Sequence, residues 1–178
     1  MARSCFQINI GAFEDFIRKV QENPDAARYT FRTVTYWEGG AVSRTVARNF
    51  EIKADEPSDL GGTDSAPDPV ELLLASLATC FAIGFVTQAA RRGIDFRNLQ
   101  VVTEGDIDLR GYLGLDPAVR PGYSRIRYTV KVDPDADPQV LEELRQLAHR
   151  LSPMIETVTH GVPVEGRIEV VDSRAATN

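Results

Sequence analysis

Pro69-Val70-Glu71-Leu72-Leu73-Leu74-Ala75-Ser76-Leu77-Ala78-Thr79-Cys80-Phe81 decides the fold of this chain. Its start signals are helical. Asp68 is a good N-cap, Pro69 suits the first helical position, and Glu71 stands three residues after the cap. That is the spacing of a capping box with Asp in place of Ser or Thr. No charge occurs from Leu72 to Ala90; Arg91 and Arg92 then suit the negative helix end, and Gly93 stops the helix. A helix apolar on most sides is the buried centre of a soluble fold. A membrane span wants about 20 predominantly apolar residues. Ser76, Thr79, Thr87 and Gln88 dilute this run, and no second span exists, so a core helix is expected and no membrane.

The flanking segments read as strands around this helix. Arg28 to Trp37 is rich in aromatics and Thr, Gly39-Gly40 is a hairpin signal, and Ala41 to Arg48 continues as a strand. Phe50, Ile52 and Ala54 alternate with charged neighbours, and Pro57 to Asp68 is a loop. Leu99 to Leu109 reads as a strand, Arg110 to Tyr123 as a loop, and Ile126, Tyr128, Val130 and Val132 as the inner face of a half-buried antiparallel strand. Asp137-Pro138 opens a second helix with Val140, Leu141, Leu144, Leu147, Ala148 and Leu151 on its apolar face. Val164 to Val171 reads as a last strand. The order of strands, long helix, strands, helix and strand predicts an α+β fold. Ahead of it, Gly11 to Val20 forms an amphipathic helix, either an interface element or a surface helix covering an edge.

The 178 residues suffice for one domain with a sizeable core, and the net charge of -6 argues against nucleic-acid binding. Two cysteines, Cys5 and Cys80, are too few for a disulfide framework and favour a reducing compartment. The start of the chain has no long apolar run, so no signal peptide is expected. A cytoplasmic location follows from both expectations.

The helix with Cys80, together with Leu151-Ser152-Pro153-Met154-Ile155-Glu156-Thr157-Val158-Thr159 ahead of Val162-Pro163-Val164, resembles the OsmC/Ohr family. Gly61-Gly62 through Cys80, and Gly111 through Gly122, carry the same resemblance, which covers about Tyr29 to Val171. It implies an OsmC-like domain over 28–172, with a helical extension over 1–27 and a frayed tail over 173–178. It also implies antiparallel sheets around two central buried helices, in an intertwined homodimer with active sites at the subunit interface. The family's thiol peroxidases place a first Cys in the helix and a second in a Cys-Pro turn, and need no cofactor and no metal. Cys80 matches the first position; Ser152 stands at the second.

A thiolate is the reactive form of cysteine, and an apolar helix interior disfavours it. Cys80 lies far from the positive end of its helix, so its activation needs a cation from elsewhere. In the family an arginine of the first hairpin serves, which makes Arg44 the candidate here, with Arg32 and Arg48 behind it. Solvated strand residues are the alternative reading for all three. The family's glutamate that holds this arginine follows the helix-opening proline; here Val70 occupies that position. Glu71 is turned about 100° around the axis and reads as a cap partner. Ser152 before Pro153 is placed to cap the next turn, and as serine it cannot form a disulfide with Cys80. His149 near the end of the second helix suits the helix dipole, His160 in a loop offers a weaker Cys/His pairing with Cys80, and Asp133, Asp135 and Asp137 read as a solvated turn.

Two functions remain open. In one, Cys80 attacks an organic hydroperoxide with help from an arginine, and an external thiol reductant resolves the sulfenate. In the other, the fold keeps an apolar small-molecule pocket as a binding or stress-response module without peroxidase activity.

Overall fold

The structure is a computed structural model that describes residues 7–134 and 137–171. Cys5, Asp135 and the tail 173–178 lie outside the described residues. Helix α1 (Ile10–Glu22) starts at Asn9, whose side chain accepts from the Ala12 N–H. Strands β1 (Val34–Gly39), β2 (Val42–Ala47) and β3 (Phe50–Ala54) form an antiparallel sheet in that order. Gly39 and Gly40 both have positive φ, which is why the hairpin between β1 and β2 needs glycine there. The first strand starts at Val34, later than the aromatic run suggests.

Helix α2 (Pro69–Arg91) has the expected capping box: the Val70 N–H donates to Asp68 Oδ1, and Glu71 Oε2 accepts from the Asp68 N–H. Strand β4 (Phe96–Asp106) pairs antiparallel with β5 (Arg125–Pro134), from Phe96 opposite Pro134 to Asp106 opposite Arg125. A bulge at Asn98, with φ of 53°, interrupts the register. Between them a short helix, α3 (Leu109–Tyr112), falls where a strand end and loop are expected. Asp108 accepts from the Arg110 N–H and starts this turn.

Helix α4 (Pro138–Arg150) starts on Asp137, and α5 (Pro153–His160) starts on Ser152. Where the sequence suggests a short turn, α5 is a two-turn helix, and His160 is its last residue rather than part of a loop. The core is one cluster: Leu77, Phe81, Phe85, Ala89 and Ala90 of α2 against Phe96 of β4, Leu144 and Ala148 of α4, and Ile155 of α5. Leu77, Phe81, Phe85 and Ala89 recur every four residues and so share one face. Leu144 and Ala148 are buried as the pattern of the second helix requires, while Leu151 is exposed. With one face packed against α4, α5 and β4, α2 is long and apolar enough to cross a membrane but serves as a core helix.

Two elements lie apart from this core. The β1–β3 sheet makes no substantial contact with the helices or with β4 and β5 among the described residues. Residues 161–171, which include the expected last strand Val164 to Val171, have no ladder partner, and Val164, Ile168 and Val170 are more than 90% exposed (93%, 94% and 92%). Their alternating pattern suits a pleated surface, but within one chain no sheet edge meets them.

Candidate thiol site between the core helix and the Ser152 cap

Cys80 sits one residue before the fully buried Phe81 and is itself half-buried. Its partner comes from 72 residues away. Ser152 is buried at 4% exposure, and its hydroxyl donates to Cys80 Sγ at 3.5 Å. The same oxygen accepts from the Ile155 N–H at 3.3 Å, capping α5. One hydroxyl therefore does two jobs: a lone pair closes the helix start, and the proton points at sulfur. The positive end of α5 is directed toward the same place. The sequence puts Ser152 at a capping position, and the structure puts that cap against the thiol.

Arg44 is held elsewhere. Its guanidinium donates to Glu38 Oε1 at 2.6 Å and to Glu51 Oε1 at 2.8 Å, and lies 5.0 Å over the Tyr36 ring. The Glu38 bond, followed by the charge of Glu51, holds its pKa above the ordinary arginine value despite partial desolvation. Arg48 lies over the Phe50 ring, and Arg32 is exposed. No hydrogen bond or ion pair joins any of these three to Cys80 among the described residues. Glu71 is the cap partner its position implies. Val70, at the family's glutamate position, has no carboxylate to offer, and its carbonyl accepts from the Tyr123 hydroxyl at 3.0 Å.

The histidines also turn away from the thiol. His160 Nδ1 faces the Glu156 carboxylate at 3.4 Å. Arg145 donates to the Tyr128 oxygen at 2.8 Å, and the Tyr128 hydroxyl shares a hydrogen bond with His149 Nδ1 at 2.9 Å. Tyr128 also packs on Phe81 at 4.7 Å between ring centroids, which ties the network to the core helix. Glu142 accepts two bonds from Arg145, and they hold its carboxyl down at about 2. No group of three metal-ligating side chains occurs among the described residues.

A second organising centre, which the sequence does not signal, is Asp55 at the end of β3. It is 1% exposed and accepts five hydrogen bonds, from the N–H of Glu56, Thr63 and Ser65 and the hydroxyls of Thr63 and Ser65. These bonds, the Thr63 hydroxyl foremost, hold its carboxyl well below the usual carboxylate range. They fold the loop ahead of α2 back on itself. Gly62 passes so near that a Cβ there would meet the Glu56 carbonyl oxygen at 1.8 Å, so only glycine fits. Asp55 thereby fixes where Asp68 and the start of α2 lie.

Fold and site together define an α+β protein with one thiol in a central helix, facing the N-cap of a later helix. The family described as OsmC-like protein matches residues 62–166, and the chain belongs to that family. Solved structures share the fold at low identity. An OsmC-like protein from Mycoplasma pneumoniae aligns at 15% identity and a TM-score of 0.64, over 74% of this chain and 88% of its own. An organic hydroperoxide resistance protein OsmC from Legionella pneumophila aligns at 18% and 0.57, over 74% and 91%. An organic hydroperoxide resistance protein from Elizabethkingia anophelis gives 18% and 0.57, over 74% and 89%. No curated protein matches the chain.

Proposed function

We propose that the protein is a hydroperoxide-resistance or stress-response member of the family in which Cys80 is a single peroxidatic thiol. The observation that carries this reading is the 3.5 Å bond from Ser152 to Cys80. It supports the equivalence of Ser152 with the family's resolving position. In the proposed reaction the Cys80 thiolate attacks the distal oxygen of a hydroperoxide. An S–O bond forms, the O–O bond breaks, and the alkoxide leaves as the alcohol after taking a proton. The sulfenic acid is reduced by two equivalents of an external thiol. The first forms a mixed disulfide and releases water; the second releases Cys80 as the thiol and the reductant as its disulfide.

The working unit on this reading is a cytoplasmic homodimer. In its support, the β1–β3 sheet and residues 161–171 are unpartnered in one chain, and Ile83 on α2 is 64% exposed. Arg44 would then serve a Cys80 across the interface by exchanging its bonds to Glu38 and Glu51. The alternative, a binding module without turnover, draws support from those same bonds and from Val70, which leaves no carboxylate to orient an arginine near the thiol. The deciding experiment is a hydroperoxide consumption assay with a panel of mono- and dithiols. Turnover lost in Cys80→Ser supports the enzyme. Equal, slow rates in both proteins leave the binding module.

A further inference from the structure

We draw no further inference here: the strongest candidate, the basic cleft between α4 and α5 lined by Arg145, His149, Arg150 and His160, carries nothing, because Arg145 is held by Glu142 and Tyr128, His149 by Tyr128 and His160 by Glu156, which leaves one exposed arginine and no group among the described residues that points to a ligand.

Discussion

The Ser152 hydroxyl donates to Cys80 Sγ at 3.5 Å across 72 residues of sequence, while it caps the helix that follows it. A capping serine is common; a capping serine whose proton is aimed at a half-buried thiol has a chemical consequence. Its replacement by cysteine puts a second sulfur where the oxygen stands. A disulfide needs Cα atoms within about 7 Å. Ser152→Cys is expected to form a bond to Cys80 after one equivalent of cumene hydroperoxide, at a cost of about 1 kcal/mol from weaker capping. Intact mass and non-reducing peptide mapping read the outcome. A folded variant that over-oxidises Cys80 without bridging would refute the equivalence of Ser152 with a resolving position.

Ser152→Ala separates the two roles of that hydroxyl. The cap loss should lower stability by about 1 kcal/mol, or about 2–4 °C in Tm for a chain of this size. The thiol loses its only side-chain hydrogen-bond donor among the described residues, so alkylation of Cys80 by iodoacetamide at mildly acidic pH should slow by more than the stability loss explains. Ser152→Thr keeps the hydroxyl and should restore the rate in part. Identical labelling rates in all three proteins would leave Ser152 as a cap alone.

Asp55 makes a prediction about pH. Its carboxyl is held below the ordinary range in the folded protein, chiefly by the Thr63 hydroxyl and the Ser65 N–H and hydroxyl. The unfolded chain therefore takes up the proton first as pH falls. The stabilisation is full above about pH 4 and is lost progressively below it. Glu56 next to it runs the other way: burial, then Asp68, raises its carboxyl pKa, so its contribution declines as pH rises through that raised value. Asp55→Asn should be less stable than the parent at neutral pH, and the difference should shrink below about pH 4. Urea denaturation of both proteins between pH 3 and 7 measures it. A gap that stays constant over that range would show that Asp55 does not hold the loop as a carboxylate.

The sequence disclosed α2 fully because its signals are local: a cap, a proline, a glutamate three residues later, and a charge-free interior. The same holds for the Gly39-Gly40 turn and the apolar face of α4. What stayed hidden depends on distant partners. Asp55 reads as one more acidic residue before a loop, and only the folded loop brings Thr63 and Ser65 onto it. Helix α5 is too short for its periodicity to announce it. Residues 162–171 have the alternation of a strand, but alternation specifies a face and names no neighbour. Arg44 was legible as a cation on a hairpin; that Glu38 and Glu51 hold it there is a cross-strand fact, with Arg44 paired opposite Lys53 and Glu51 two residues along.

Ile83 tests the proposed dimer from the core helix outward. It lies two residues from Phe81 and Phe85, both buried, and is itself 64% exposed. Its neighbours on α2 are uncharged from Leu72 to Ala90, so the helix presents an apolar back as well as an apolar front. In a monomer, a surface substitution there should change stability by no more than about 0.5 kcal/mol. If the back of α2 is covered by a second copy, Ile83→Glu buries a charge without a partner, and the assembly should dissociate or fail to form. Light scattering and sedimentation at micromolar concentration distinguish the two. The expected result is a stable dimer for the parent and monomer or soluble aggregate for Ile83→Glu, with Ile83→Leu remaining dimeric. A folded parent monomer at those concentrations, with Ile83→Glu equally stable, would remove the dimer and with it any role for Arg44 at a neighbouring thiol.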